Sequence, residues 1–170
     1  MSGAPADWGE PRTKTVTWWP TAVAARAGQG TGSGLTYLQG VVDGRIPPPP
    51  MASVIGARLV GVQDGVAVFR AVPDESFLNP IGLIHGGFLC TLLDSAMGVA
   101  VTTKLTKPGG YASIELKVSF LAPVPWDGRE LEVTGHALRV GRRIAFAEAH
   151  ARDADGRLVG HATSSLVAYG

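Results

Sequence analysis

Residues 79–98 read NPIGLIHGGFLCTLLDSAMG, an apolar stretch that also holds one histidine, two adjacent glycines and one carboxylate. From Gly86 onward, apolar side chains cover most of the circumference of a helix, which predicts a helix over about residues 86–104 that is buried on most sides. A carboxylate such as Asp94 is costly on a buried helix unless it has a partner or a function. The stretch therefore predicts a central helix and a candidate site on that helix.

The segments on both sides of this helix have the pattern of β-strands joined by tight turns. Turn sequences occur at QDG (63–65), WDG (126–128), VGRR (140–143) and ADG (154–156). The runs between them are rich in Val, Ala, Leu and Phe, as strands are. We predict six strands, at about residues 54–62, 66–72, 111–121, 130–139, 143–153 and 158–168.

Two strands, one buried helix and four further strands predict an α+β fold, because an antiparallel sheet must curl around the helix to cover it. In SIELKVSF (113–120), strict alternation predicts one buried face and one polar face. The polar face includes Ser113. The residues predicted to be buried are Ile114, Leu116, Val118 and Phe120.

The first 50 residues are predicted to be an extension of a domain that spans residues 51–170. Residues 1–34 are rich in Gly, Ser, Thr, Pro and Ala, and we expect little regular structure there. Ser33 can cap a short helix. PPPP at 47–50 is predicted to end that helix and to form a stiff spacer.

Composition excludes several classes of function. The formal net charge is +1 and there is no run of Lys or Arg, so a nucleic-acid partner is not expected. The single Cys90 excludes an internal disulfide and a multi-cysteine metal cluster, and we expect it to be a core residue. No apolar run approaches the length of a membrane span, and the N-terminus lacks the features of a signal peptide. We therefore expect a cytoplasmic protein without a membrane partner.

The combined pattern resembles a known family. HGG at 85–87 opens the predicted helix, Asn79 precedes the histidine by six residues, and Asp94 follows it by nine. ASIELKVSFLAPV follows at 112–124. This arrangement resembles the hotdog-fold acyl-CoA thioesterases, specifically the PaaI-like, phenylacetate-pathway type, over about residues 51–169. The resemblance implies a six-stranded sheet wrapped around the central helix.

Thioester hydrolysis requires a group that polarises the carbonyl and a base or nucleophile. The amide of Gly86 lies where the helix begins, so it is a candidate oxyanion donor; close packing of the glycines against a strand is the alternative. Asp94 is the candidate general base or nucleophile. The alternative for this carboxylate is a place on an exposed polar stripe of the helix.

Three further residues are assigned supporting roles. His85 could hydrogen-bond near the carbonyl, hold the glycine turn or bind a metal, and orientation of the loop is the role we expect. Asn79 could build the turn before Pro80. The resemblance implies instead that Asn79 positions the carbonyl or the water, and that Ser113 helps to hold the attacking water. The second role conflicts with the polar face assigned to Ser113.

The other histidines give no sign of a metal site. His136, His150 and His161 lie on separate predicted strands and lack short ligand spacing, so we predict no metal. The resemblance implies no separate cofactor, because coenzyme A would be part of the substrate.

RVGRR at 139–143 is the candidate coenzyme-binding segment. Arginines beside a tight hairpin can hold phosphate oxygens in forked hydrogen bonds, although many hairpin arginines serve solubility alone. The resemblance favours contact with coenzyme A. The residues assigned to this segment are Arg139, Val140, Gly141, Arg142 and Arg143.

The spacing on the helix also predicts an oligomer. Gly86 and Asp94 are separated by about 12 Å along the helix axis, whereas a reacting carbonyl must lie about 3 Å from both groups. Two chains with antiparallel helices could bring Gly86 of one chain to Asp94 of the other. We therefore predict a twofold homodimer with two shared sites, and the resemblance adds a homotetramer.

The sequence thus predicts an acyl-CoA thioesterase for aryl or medium-chain acyl groups. Phe77, Leu78, Ile81, Phe88 and the short front helix could line the acyl pocket. Two other functions are left open: a hotdog enoyl-CoA hydratase, and a module that binds acyl-CoA without hydrolysing it.

Overall fold

The computed structural model of the chain describes residues 9–106 and 109–169. Its helices are α1 (Thr21–Ala27), α2 (Gly34–Val42), α3 (Pro50–Ile55) and α4 (Gly86–Thr102), with a short 3-10 turn at Glu75–Phe77. Its strands are β1 (Ala57–Gln63), β2 (Val66–Ala71), β3 (Gly110–Phe120), β4 (Leu131–Val140), β5 (Ile144–Arg152) and β6 (Leu158–Tyr169). Within these ranges, no helix combines the length and apolarity that a membrane crossing requires.

The six strands form one antiparallel sheet in the order β1-β2-β4-β5-β6-β3, and α4 packs against all six. Side chains of α4 such as Leu92, Leu93 and Met97 are fully buried. The predicted α+β hotdog architecture is confirmed. Every predicted strand is found with its ends within three residues of the predicted positions, and the predicted central helix is found as α4.

Small residues on the inner face of the sheet allow the helix to approach closely. A Cβ atom at Gly135 on β4 would collide with the backbone carbonyl of Ala96 on α4. The inward positions of β5 are all alanines, and all are buried. Close backbone approach therefore holds α4 in the curve of the sheet.

Strand β3 is an edge strand, and its predicted buried face is wrong for three of the four residues. Ile114, Leu116 and Phe120 are 58%, 37% and 55% exposed, while Val118 packs partly against the core. The register with β6 shifts between Ser113 and Glu115, which indicates a β-bulge there. A bulge interrupts the alternation, so Ser113 turns toward α4 instead of away from it.

The N-terminal extension contains more regular structure than predicted. The helix α1 lies in residues 1–34, where we expected little regular structure. Ser33 caps α2 as predicted, because its side chain accepts a hydrogen bond from the Thr36 amide at 3.2 Å. The proline run does not end α2; its last member, Pro50, begins α3. Proline suits the first position of a helix because the missing N–H would have no helical partner there.

Candidate active site

Asp94 and Ser113 form a hydrogen-bonded pair. The Ser113 hydroxyl oxygen lies 2.6 Å from Oδ1 of the Asp94 carboxylate, to which it donates. Asp94 lies midway along α4 and is half-buried, and the bulge in β3 brings Ser113 to its side. Both residues line a cavity of about 380 Å³. The conflict between strand alternation and the role of Ser113 is thereby removed.

The rest of this cavity is formed by α3, α4 and the start of β3, with one residue each from β1 and β2. Met51, Ala52 and Ile55 of α3 supply an apolar part of the wall. This differs from the predicted acyl pocket, because neither α2 nor the aromatic residues proposed for it line the cavity. Phe77 and Phe88 instead contact each other, with ring centroids 4.7 Å apart.

The beginning of α4 is held by a side-chain cap. Nδ1 of His85 accepts a hydrogen bond from the Gly87 amide at 2.8 Å. The Gly86 amide makes no hydrogen bond to the residues that the structure describes. It therefore keeps the properties of an oxyanion donor: a free N–H at the positive end of a helix.

Gly86 also permits close packing. A Cβ atom at this position would lie 2.8 Å from the Phe120 ring. Gly86 and Phe120 line a second cavity of about 410 Å³, together with Asn79. Oδ1 of Asn79 accepts hydrogen bonds from the amides of Ile81 and Leu83 at 3.1 and 3.0 Å, so Asn79 builds the turn before α4.

The single chain thus holds two half-sites that are apart. The cavity beside Asp94 and the cavity beside Gly86 have no lining residue in common. Eight residues separate the two groups on α4, which corresponds to about 12 Å along the helix axis. One chain does not bring the candidate base and the candidate oxyanion donor to one carbonyl.

The candidate coenzyme-binding segment is the hairpin between β4 and β5. Arg139, Arg142 and Arg143 are exposed, and none takes part in an ion pair with the described residues. The hydroxyl of Tyr111 donates a hydrogen bond to the Gly141 carbonyl at 2.5 Å. Tyr111 lines the Asp94 cavity, so this hydrogen bond links the hairpin to that cavity.

Two parts of the site were not found from the sequence. Tyr111 stands at the edge of a predicted strand, where no spacing distinguishes it. The wall formed by α3 had a signal, since a proline can begin a helix as well as end one. The sequence prediction treats PPPP as a helix stop and a stiff spacer, and not as a helix start.

Cys90 has the surroundings of a structural cysteine. Burial raises the pKa of its thiol, which disfavours the nucleophilic thiolate. The three histidines outside the site do lie on separate strands, as predicted, but β4, β5 and β6 are neighbours in the sheet.

Known proteins resemble this chain in both sequence and fold. Residues 81–160 match the family described as the thioesterase superfamily. A Caenorhabditis elegans protein named as a candidate esterase is 41% identical over 102 residues, which is 58% of this chain and 58% of that protein. The chain therefore spans little more than half the length of this relative.

Two further relatives cover more of the domain. Acyl-coenzyme A thioesterase 13 of Homo sapiens is 28% identical over 113 residues, or 66% of this chain and 74% of that protein. A solved structure from Ralstonia eutropha, described as a candidate thioesterase related to phenylacetic acid degradation, superimposes with a TM-score of 0.70 at 28% identity. The superposition covers 77% of this chain and 98% of that chain.

Proposed function

We propose that the chain hydrolyses an acyl-CoA thioester to the free acid and coenzyme A, because residues 81–160 match the thioesterase superfamily and the chain has the hotdog fold of the PaaI-like acyl-CoA thioesterases. The observation that carries this proposal is the pair formed by Ser113 and Asp94 at the wall of a cavity. The human relative, whose name specifies acyl-coenzyme A, supports the substrate class.

In the proposed reaction, Asp94 acts as general base or as nucleophile. Ser113 donates to Oδ1, which fixes the carboxylate and leaves its other oxygen for a water molecule. As base, Asp94 takes a proton from water while the water oxygen bonds to the carbonyl carbon. As nucleophile, it forms an acyl anhydride that water then cleaves. In both routes the C–S bond breaks, and the coenzyme A thiolate leaves and is protonated.

The Gly86 amide is proposed as the donor to the carbonyl oxygen. Negative charge on that oxygen develops in the transition state, and a free N–H at a helix start stabilises it. His85 would keep this end of the helix in place through its hydrogen bond to Gly87. Asn79 would hold the turn that leads into the helix, and so position the donor.

We propose that two chains complete each site. β3 lies at the edge of the sheet and exposes apolar side chains of Ile114, Leu116 and Phe120, which favours pairing with a second copy. Phe120 lies beside Gly86, and Ser113 lies beside Asp94. A twofold dimer along β3 would therefore place the Asp94 half-site of one chain against the Gly86 half-site of the other. A tetramer would join two such dimers.

The substrate would lie between the cavity and the arginine hairpin. The exposed guanidinium groups of Arg139, Arg142 and Arg143 suit the phosphates of coenzyme A, and Val140 and Gly141 shape the turn that carries them. The apolar wall of α3 favours an aryl or medium-chain acyl group. We place this activity in the cytoplasm, which agrees with the single cysteine of the chain.

The test is release of free thiol from a panel of aryl- and fatty-acyl-CoA esters by the parent protein and by Asp94→Asn. We expect the parent to hydrolyse one class of ester and the variant to lose at least about a hundredfold in kcat, as loss of a general base does. Equal rates for both proteins, at the same fold and oligomeric state, would refute the role of Asp94. Binding of acyl-CoA without turnover by the parent would favour the binding module.

A further inference from the structure

The outer face of the sheet carries a compact group of metal-binding side chains. The alanines of β5 face α4, so the residues that alternate with them, Glu148 and His150, lie on the opposite face. The antiparallel register places His161 of β6 directly opposite His150. It also places His136 of β4 opposite Glu148. Four potential ligands from three strands thus meet on one surface.

Three of these residues are close enough to share one ion. The ligand atoms of Glu148, His150 and His161 all lie within 4.8 Å of one another. Nε2 of His161 is 3.6 Å from Oε2 of Glu148, and the rings of His150 and His161 have centroids 4.8 Å apart. All three side chains are partly buried and still open to solvent.

We propose that Glu148, His150 and His161 form a binding site for one Zn²⁺ or a similar first-row divalent cation. Two imidazoles and one carboxylate are a ligand set that zinc uses in proteins, with bonds of about 2.0–2.2 Å. Such bonds place tetrahedral ligand atoms about 3.4 Å apart. The distance between His161 and Glu148, 3.6 Å, is already near this value.

The chemistry of the ligands decides the class of ion. Imidazole nitrogens favour Zn²⁺, Co²⁺, Ni²⁺ and Cu²⁺ over Mg²⁺ and Ca²⁺, which prefer oxygen ligands. Three protein ligands leave the fourth position to water or to another group. The site lies on the opposite side of the sheet from α4 and Asp94, so it is separate from the proposed hydrolytic site and does not depend on it.

The absence of ligand spacing in the sequence does not argue against this site. His150 and His161 are eleven residues apart in the chain. The turn between β5 and β6 reverses the chain direction, so the two histidines become direct neighbours across the antiparallel pair. A bound ion would link these two strands. Because it would bind the folded chain and not the unfolded chain, it would raise the unfolding temperature.

The experiment is calorimetric titration of the metal-free full chain with Zn²⁺, for the parent, His150→Asn, His161→Gln and the control His136→Gln. The ring of His136 is 6.4 Å from that of His150, so this histidine is outside the proposed ligand set. We expect one Zn²⁺ per chain, affinity at least about tenfold weaker in the two ligand variants, and less than tenfold change in the control. If a histidine variant does not fold, Glu148→Gln is titrated in its place, because it removes the charge and keeps the shape of the side chain.

Co²⁺ gives a second readout that does not depend on enzyme activity. The proposal predicts visible ligand-field bands without the charge-transfer absorption of a thiolate, and a higher unfolding temperature in the parent but not in His161→Gln. Three results would overturn it: no saturable Zn²⁺ binding, binding that survives in the ligand variants, or a thiolate signal from Cys90. Equal loss in His136→Gln would overturn the proposed ligand set.

Discussion

At the scale of single residues, the site depends on how Ser113 is oriented toward Asp94. A hydrogen bond to a charged group contributes about 1.5–3 kcal/mol. In the proposed mechanism, this hydrogen bond to Oδ1 leaves the other carboxylate oxygen for water. Because the Ser113 side chain is exposed in the single chain, we expect its loss to affect the proposed hydrolytic step more than the stability of β3.

We therefore predict that Ser113→Ala lowers kcat/KM for the best acyl-CoA ester by about tenfold to a hundredfold, the equivalent of that hydrogen bond. Steady-state assays of thiol release measure the change. Ser119→Ala on the same strand is the control and should retain parent activity. An unchanged kcat/KM in Ser113→Ala would exclude the proposed role of this hydroxyl.

At the scale of elements, the contact between α4 and β4 depends on Gly135. An added methyl group at this position meets the backbone carbonyl of Ala96, which cannot rotate away as a side chain can. A methyl group added at Gly98, on α4 itself, would instead point into open space. The two glycines therefore respond to the same substitution in opposite ways.

We predict that Gly135→Ala lowers the free energy of unfolding by about 1–3 kcal/mol through overpacking. Gly98→Ala should raise it by up to about 1 kcal/mol, because alanine favours a helix over glycine. Thermal unfolding followed by circular dichroism compares the two variants. A stable Gly135→Ala protein would mean that α4 is not held this closely to β4.

The hairpin between β4 and β5 gives a second prediction at this scale. Arg142→Gln and Arg143→Gln should raise KM for acyl-CoA several-fold to tenfold and leave kcat nearly unchanged, because phosphate contacts hold the substrate without touching the thioester. Arg26→Gln is the control, because it removes one positive charge, as each hairpin variant does, from an exposed position on α1. A lower kcat at constant KM would contradict a role in coenzyme binding.

The helices and strands could be predicted from the sequence, whereas two features that depend on strand pairing could not. Turn sequences and strand composition predicted every strand, and the apolar circumference of residues 86–104 predicted α4, because these signals are local. The bulge in β3 is not local, because it belongs to the pairing with β6, and it accompanies the turn of Ser113 toward Asp94. The cluster around His150 likewise follows from strand register, so chain spacing could not reveal it.

At the scale of the whole molecule, we propose that each hydrolytic site is shared by two chains. The Asp94 and Gly86 half-sites have no common lining residue within one chain. The exposed apolar edge at β3 offers the surface along which two copies would join them. A site within one chain and a site across two chains respond differently when two inactive variants are combined.

The direct measurement is thiol release by a mixture of Asp94→Asn and Gly86→Pro, unfolded and refolded together. Gly86→Pro removes the donor N–H at a helix position that tolerates proline. Gly86→Ala is the matched control, because it adds a Cβ at the same point and keeps the N–H. Each of the two mixed variants should be nearly inactive alone.

If sites are shared, a mixed dimer has one site with both Asp94 and the Gly86 amide intact. Random pairing makes half of the dimers mixed, so the refolded mixture should recover about a quarter of the parent activity. Activity no greater than that of the separate variants, with mixed dimers present, would contradict the shared site and place the whole reaction within one chain.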